Sequence, residues 1–359
     1  MKKKKMILYV LSILMFVGLI AVLIDINKNN DFEINNLRFE IKNLKTEYQG
    51  SNCQEKNAIN KLDIVSAYGD NEAYHPKVLY FSEGWNGYKY WMAYSPYPHA
   101  DDSKENPHIA VSNDLITWEA PSGINNPLDE VFDIYVRGKI YNSDPHLVYN
   151  SDTNQLECWW RFVDDISDKV IIYRRTSENG INWTEREKII SNKRSKSDYL
   201  SPAIIYENGE YHMWYVSKGY SVYYIKSSDL QQWSSATKLD IKYENSKLLT
   251  WHIDVIHNDG IYEIVLNSFN KGENRSKMNL YYSKSSDNIN WETPKLLLTP
   301  SFDSENWDNK GLYRSSLLHV DNKYYLFYSG ISWSEERGVG LISGKTIDKL
   351  CYQLNNYNY

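Results

Sequence analysis

From about Tyr74 onward, the chain consists of short runs in which apolar and polar residues alternate. Runs such as 88–94, 211–215 and 324–328 are dominated by aromatic residues, and each follows a shorter strand-like run and a turn. Period-two alternation, aromatic enrichment and turns that carry Gly or Asn are typical of β-hairpins. The pattern therefore predicts a body made of antiparallel strands.

A recurring turn shows that these hairpins belong to a repeat. Ser, then Asp or Asn, then Trp recur at short spacing in the segments 112–118, 177–183, 228–233 and 286–291. Successive tryptophans stand about 50–65 residues apart, close to the length of a four-stranded propeller blade with its loops. Five strand-like openings precede five aromatic strands, which predicts an all-β, five-bladed β-propeller. The alternative, an irregular β-sandwich, would not repeat in this register.

The first strand of each propeller blade lines the central channel, so the starts of these strands meet at one mouth. The mouth is predicted to collect His75, Asp144, Leu200, Asp254 and Arg314 from the strand starts, and Glu105, Trp251 and Trp333 from nearby. Charged and aromatic side chains around a concave end suit a hydroxyl-rich ligand. Asp144 and Asp254 lie at the channel end of an inner strand, where a side chain is expected to be buried. Acidic residues are rarely buried without a partner, so these two are the strongest candidates for a functional role.

The N-terminus carries a membrane-anchor pattern. Lys2 to Lys5 precede an apolar run from Met6 to Ile24, which is long enough to cross a bilayer as a helix. A cleaved signal peptide is the alternative, but no small-x-small site closes the run. We therefore predict a cytoplasmic start and single-pass anchor over 1–25, a helical stalk over 26–60 and an extracytoplasmic propeller over 61–350.

The net charge and the aromatic content of the chain indicate which class of ligand it binds. The formal net charge of −6 and the lack of a basic stripe after the first residues argue against nucleic acid. Aromatics reach 14% of residues, which suits strands and sugar-stacking platforms, so carbohydrate is the predicted partner. Cys53, Cys158 and Cys351 are too few and too widely spaced for a disulfide framework, and Cys158 is expected in a core.

The segment Tyr141-Asn142-Ser143-Asp144-Pro145-His146 resembles the second-blade Asp-Pro motif of the five-bladed propeller glycoside hydrolases, family 43 and its relatives. The resemblance covers about residues 70–345. It implies that Asp144 positions the general acid and tunes its pKa. The family's first-blade Asp, the general base, falls at His75, and its third-blade Glu, the general acid, falls at Leu200.

These departures leave three hypotheses. The first is a glycosidase, arabinofuranosidase- or xylosidase-like, acting on a surface or environmental polysaccharide. The others are a glycan-binding propeller without catalysis and a sugar-transferring or assembly factor for a surface polysaccharide. In the first, the predicted catalytic set is Asp144, His75, Asp254 and Glu105, with Asp198 a further candidate acid. The predicted sugar-binding set is Arg314, Trp251, His146 and Trp333.

No metal site is predicted. His108, His146 and His252 have no partners at a zinc-like spacing, so each is expected to be an ordinary hydrogen-bonded histidine. No cofactor is expected, although some members of the resembled superfamily hold calcium in the channel, which leaves calcium as an alternative.

Overall fold

The computed structural model of the protein describes residues 61–301 and 304–352. Its strands form five antiparallel sheets, each a propeller blade. Blade 1 contains β1 (Ala73–Trp85), β2 (Tyr88–Pro96) and β3 (His108–Ser112). Blade 2 contains β4 (Ile140–Asn150), β5 (Gln155–Asp164), β6 (Lys169–Ser177) and β7 (Glu187–Lys193). Blade 3 contains β8 (Leu200–Glu207), β9 (Glu210–Ser217), β10 (Ser221–Ser227) and β11 (Thr237–Lys238). Blade 4 contains β12 (Leu248–Asn258), β13 (Ile261–Asn270), β14 (Asn279–Ser285) and β15 (Lys295–Leu298). Blade 5 contains β16 (Gly311–Val320), β17 (Lys323–Ile331), β18 (Arg337–Gly344) and β19 (Cys351–Tyr352). Short 3₁₀ turns occur at Pro98–Ala100, Asp102–Lys104, Lys218–Tyr220 and Ile347–Lys349.

The blades close into a ring. The first strands β1, β4, β8, β12 and β16 pack against one another in that order, and β16 returns to β1. The segment before blade 1 joins the first and last blades of the ring. Leu62 donates its backbone N–H to Val339 O in β18 at 2.8 Å, and Asp63 forms a parallel β-bridge with Thr117, which follows β3. The predicted five-bladed propeller is confirmed.

The recurring turn has a structural role that the sequence only partly indicated. In the turn after β3, Ser112 Oγ accepts the N–H of Leu115, and the indole of Trp118 donates to Leu115 O. Both bonds recur after Ser177, where Gly180 donates to the serine and Trp183 donates to Gly180 O. Ser227 accepts the N–H of Leu230 in the same way, whereas Ser285 donates to Asn290 O. In blades 3 and 4 the turn serine is therefore one residue earlier than the segments starting at 228 and 286 indicated.

All five first strands break their hairpin register near their start. The breaks lie between Tyr74 and Lys77, Ser143 and His146, Leu200 and Ala203, Thr250 and His252, and Leu312 and Ser315. A β-bulge bends the strand and changes the direction of a side chain, and bulges are common next to functional sites. The breaks leave two residues of the first strand without a partner across the hairpin in blades 1, 2, 3 and 5, and one residue, Trp251, in blade 4.

The predicted anchor of residues 1–25 and the whole of the predicted stalk of residues 26–60 lie outside the described residues. Within the described ranges, no helix is long and apolar enough to cross a membrane. Cys158 is fully buried and packs with Trp91 and Leu156 between blades 1 and 2, as its strand context indicated.

Candidate functional site

The bulges carry strained residues in the first three blades. His75, Asp144 and Ser201 have φ values of 52°, 53° and 53°, and each precedes a proline. Positive φ is unfavourable for residues with a Cβ, and such strain often marks a functional site. Ser201, rather than Leu200, therefore occupies the position that corresponds to His75 and Asp144, while Leu200 packs in an apolar core with Trp214.

His75, Asp144 and His252 form a compact cluster at the mouth. One ligand-type atom from each side chain lies within 4.8 Å of the others. His252 Nδ1 is 3.3 Å from Asp144 Oδ1, and all three residues are at most 2% exposed. Among the described residues, His252 Nε2 has no hydrogen-bond partner, and His252 Nδ1 and Asp144 Oδ1 have each other and Arg314 as polar neighbours, without the geometry of a hydrogen bond. Buried polar atoms normally have partners, so these orphaned atoms indicate a missing ligand.

The charges of this cluster are set by its surroundings. Burial holds the pKa of both His75 and His252 below the usual range of histidine. Burial would raise the pKa of Asp144, but His252 and Arg314 outweigh it and hold that pKa well below its usual value. At neutral pH both imidazoles are therefore neutral, and the charge that keeps Asp144 ionised is that of Arg314, whose guanidinium lies 3.7 Å from Asp144 Oδ1.

Glu105 adds a second carboxyl group. Its Oε1 is 3.5 Å from His75 Nδ1, which also lies 2.8 Å from Ser95 Oγ. Burial raises the pKa of Glu105 well above its usual range, and the negative charges of Asp144 and Asp102 add to this effect. A carboxyl group that holds its proton near neutral pH is suited to general acid–base chemistry.

Aromatic side chains surround the cluster. The ring of Tyr313 stacks on Tyr74 at 5.0 Å and lies 4.4 Å from the ring of His252. Trp251 donates from its indole to Tyr313 Oη at 2.8 Å. The hydroxyl of Tyr74 is buried without a partner among the described residues. The ring of Tyr74 lies 4.9 Å from that of His75, edge to face.

Arg314 is buried next to the cluster and contacts residues of two other blades. Its guanidinium donates to Pro145 O and Pro202 O at 3.1 and 2.8 Å and lies 3.1 Å from His146 Nδ1. It also approaches Asp144 Oδ1 to 3.7 Å. The predicted sugar-binding residues Arg314 and His146 are therefore buried residues that tie three blades together, and their described contacts are all with protein groups.

Asp254 is also engaged by the protein. Its two oxygens lie 2.7 and 3.0 Å from Lys77 Nζ, and one accepts the N–H of Leu317 at 2.9 Å. Asp198 forms ion pairs with Arg161 and Arg194, which lower its pKa against the effect of burial. A carboxylate held ionised in this way is a poor general acid, so Asp198 does not fill the role left by Leu200.

His252 is the site residue that the sequence argument missed. Linear spacing gave no metal signature, because its partners come from other blades. The signal available was its position, since His252 follows Trp251 at the start of the fourth blade's first strand, where a mouth residue was expected at Asp254. The bulge between Thr250 and His252 moves the mouth position two residues earlier.

These features define a five-bladed propeller with a buried His–Asp–His cluster at its mouth. Known proteins share the fold. The crystal structure of an N-acetylgalactosamine deacetylase from F. plautii in complex with blood group B trisaccharide superposes with a TM-score of 0.71 at 22% identity, covering 84% of this chain and 98% of that one. A thermostable family-43 glycoside hydrolase gives 0.56 at 11% identity, covering 80% and 92%.

The chain is also 27% identical over 301 residues to the A type blood N-acetyl-alpha-D-galactosamine deacetylase of Flavonifractor plautii. That match takes in 71% of this chain but only 38% of the length of the relative. No protein-family profile matches the chain. The resemblance to the five-bladed propellers of the glycoside hydrolases is confirmed at the level of the fold.

Proposed function

We propose that the protein is a carbohydrate-active hydrolase that removes the acetyl group from an acetamido sugar, assisted by a divalent cation held by His75, Asp144 and His252. The observation that carries the proposal is the buried cluster of three ligand atoms, together with His252 Nε2, which has no hydrogen-bond partner among the described residues. The relative identified in Flavonifractor plautii supports the reaction class, because its name describes such a deacetylase.

The donor set fits a transition metal. Neutral imidazoles with one carboxylate are typical ligands of zinc, manganese or iron(II), whereas calcium takes six to eight oxygen ligands. The two depressed histidine pKa values keep both rings available as ligands at neutral pH. A divalent cation at this position would polarise an amide carbonyl and acidify a water molecule. We therefore favour such a metal over the calcium that the fold resemblance left open.

The protein's own residues supply the remaining roles. Asp144 stays ionised and offers negative charge to the cation. A cation held by His75, whose Nδ1 lies 3.5 Å from Glu105 Oε1, would oppose the effect of burial and favour the ionised form of Glu105. This carboxylate would then take a proton from the attacking water and return it to the departing amine. The unpartnered hydroxyl of Tyr74 donates to the oxyanion that develops on the acetyl carbon.

The confinement of the cluster supports an acetamido group as the reacting part. Glu105 is 6% exposed, and the three candidate ligands are even less so. A small group that projects from a sugar can enter such a cluster more easily than a whole ring can. An inverting glycosidase also needs its acid and base on opposite faces of the sugar, about 6.5–9.5 Å apart, whereas Asp254 is occupied by Lys77.

The test is release of acetate and free amine from oligosaccharides that contain N-acetylhexosamine, using the full chain stripped of metal and then reloaded with zinc, manganese, cobalt or calcium. Activity should return with a transition metal and should fall by at least about 100-fold in Glu105→Gln, the loss typical for a proton-transferring group. His252→Ala and Asp144→Asn should lose metal and activity together.

His257→Gln is the matched control, because this histidine lies at the opposite end of β12, stacked on Tyr262 at 3.9 Å. Activity that survives in Asp144→Asn, or that persists without any divalent cation, would contradict the proposal.

A glycosidase remains the second candidate because Glu105 and Asp144 have pKa values shifted in opposite directions, raised for the former and lowered for the latter. Such separation is the pattern of an acid and its ionised partner. Arabinofuranosides and xylosides are the substrates to test for this activity. Release of reducing sugar without acetate, unaffected by chelators, would favour it over deacetylation.

The location of the protein is a separate proposal. The lysines followed by an apolar run over residues 1–25 support a membrane anchor with the propeller outside the cytoplasm. Added protease should therefore degrade the propeller in intact cells whose outer layers have been removed. Recovery of the full chain in the soluble fraction, protected from that protease, would contradict it.

A further inference from the structure

The loop that joins β13 to β14, residues 271–278, is fixed beside the candidate site. Leu312 donates its N–H to Met278 O at 2.9 Å, immediately before Tyr313. A Cβ at Gly311 would lie 1.9 Å from Ser276 O, so only glycine permits this approach. The loop is therefore held against the start of β16 by backbone contacts at Ser276 and Met278.

Arg275 projects from this loop over a tryptophan of the site. Its guanidinium carbon is 4.1 Å from the centre of the Trp251 ring. Its positive charge partly offsets the rise in the pKa of Tyr313 that burial causes. Trp251 is bonded to Tyr313, whose ring contacts His252. Arg275 is thus connected to the cluster of His75, Asp144 and His252 through the side chains of Trp251 and Tyr313.

A second aromatic and basic element lies in the next blade. Trp333, in the loop between β17 and β18, is 60% exposed. The ammonium groups of Lys277 and Lys310 lie 5.1 and 5.7 Å from its ring centre. Lys310 is paired with Glu335, but among the described residues neither Arg275 nor Lys277 has an acidic partner.

We propose that Arg275 and Lys277, with the rings of Trp251 and Trp333, form a subsite for a uronic acid residue next to the acetamido sugar that reacts at the cluster. This assignment of substrate class rests on the proposed function for its position. Sugar rings stack on tryptophan, and a guanidinium fork matches the two oxygens of a carboxylate. Arg275 and Lys277 are exposed and have no acidic partner within the described ranges, so they supply a charge that a neutral glycan would not need.

Binding tests the subsite independently of catalysis. The probe is a disaccharide of N-acetylhexosamine and glucuronic acid, compared with its analogue in which the carboxyl group is reduced to a hydroxymethyl group. Titration of the full chain by calorimetry should give tighter binding of the acidic disaccharide. The preference should shrink as salt is raised, because exposed charges are screened. An exposed ion pair changes a binding constant by about two- to fivefold. The double variant Arg275→Gln with Lys277→Gln should therefore reduce the preference for the acidic disaccharide by about fivefold or more.

Lys271→Gln is the matched control, since Lys271 belongs to the same loop and is also exposed. It should keep the preference for the acidic disaccharide. Equal binding of the two disaccharides by the natural chain at low salt would overturn the subsite, and so would an unchanged preference in the double variant. Tighter binding of a disaccharide that carries phosphate in place of the uronate would overturn the choice of carboxylate.

The outcomes separate this inference from the proposed function. If the acidic disaccharide binds preferentially but no acetate is released from either compound, the subsite stands and deacetylation fails. If both disaccharides are bound and deacetylated equally well, deacetylation stands and the subsite fails.

Discussion

Asp254 shows at the scale of a single residue why a buried carboxylate at a channel need not be catalytic. Both of its oxygens are taken by Lys77 and by the backbone of Leu317, and both charged residues are almost fully buried. Removing one partner of a buried pair leaves an uncompensated charge, which costs about 3–5 kcal/mol. Lys77→Met should therefore lower the free energy of unfolding by about this amount in denaturant titrations.

The double variant Lys77→Met with Asp254→Leu is the comparison for that measurement, because it removes both charges at once. It should recover most of the lost stability, since replacing a buried pair by apolar residues is often close to neutral. Similar losses in the single and double variants would show that the ammonium group packs without balancing the carboxylate.

Asp308 gives a pH-dependent prediction. It is fully buried, one oxygen accepts a hydrogen bond from Tyr328 at 3.0 Å, and burial raises its pKa from 3.8 to about 6. The folded state thus holds this proton more tightly than the unfolded chain does. The stabilisation is complete below about pH 4 and is lost as the pH rises toward 6, at a cost of roughly 3 kcal/mol at most.

Asp308→Asn should remove this dependence, because the amide does not ionise. Thermal unfolding at pH 4 and pH 7.5 should show that the natural chain loses stability relative to the variant at the higher pH. An unchanged difference between the two proteins across this range would contradict the raised pKa.

Three of the four residues of the candidate site were predicted from the sequence: His75, Asp144 and Glu105. The first two were found because a strand start followed by proline recurs in successive blades, so the residue type could be compared at a fixed position. The cluster that His75 and Asp144 form with His252 was not predicted, because His252 comes from another blade and the cluster depends on distances that linear spacing does not contain.

At the scale of elements, the repeated bulge determines which side chains reach the mouth. The pattern of hydrophobic positions predicted the strands and their order, but a bulge adds a residue without changing that pattern. The expected mouth residues Leu200 and Asp254 therefore differ from those found, Ser201 and His252, by one and two positions. At Asp144-Pro145, by contrast, the residue named from the sequence is the one that lies in the cluster with His75 and His252.

The recurring turn also fixes how neighbouring blades pack. A Cβ at Gly180, in the turn after β6, would lie 2.1 Å from the indole of Trp91 in blade 1, and its φ is +73°. Gly180→Ala should therefore destabilise the protein by about 1–3 kcal/mol through overpacking, in addition to the backbone strain. The measurement is the free energy of unfolding in denaturant.

Gly209→Ala separates the two contributions, because Gly209 has a φ of +77° but nothing within 4 Å of its added Cβ. It should show the backbone strain alone and lose less stability than Gly180→Ala. Equal losses would mean that Trp91 moves aside without cost and that the turn does not fix the packing of the two blades.

At the scale of the whole molecule, the repeat predicted the number of blades but not how the ring is closed. Closure depends on the segment 61–64, which precedes the first recognisable repeat and carries none of its signals. This segment pairs with β18 of the last blade and reaches the turn of blade 1 at Thr117. Leu62 and Ile64 pack in the same apolar core as Phe327 and Trp118.

Adjacent residues of this segment allow a controlled test of closure. Ile64 is 1% exposed and Val65 is 58% exposed. Ile64→Ala should lower the free energy of unfolding by about 2–5 kcal/mol, because it opens a cavity where the first and last blades meet. Val65→Ala should change it by less than about 0.5 kcal/mol, as expected for a surface substitution. Comparable effects of the two substitutions would mean that the ring does not depend on this segment. His75 of blade 1 donates its N–H to the hydroxyl of Ser329 in blade 5 at 3.1 Å. A selective loss of stability in Ile64→Ala that also disturbs the candidate site would therefore show that closure of the ring holds His75 in place.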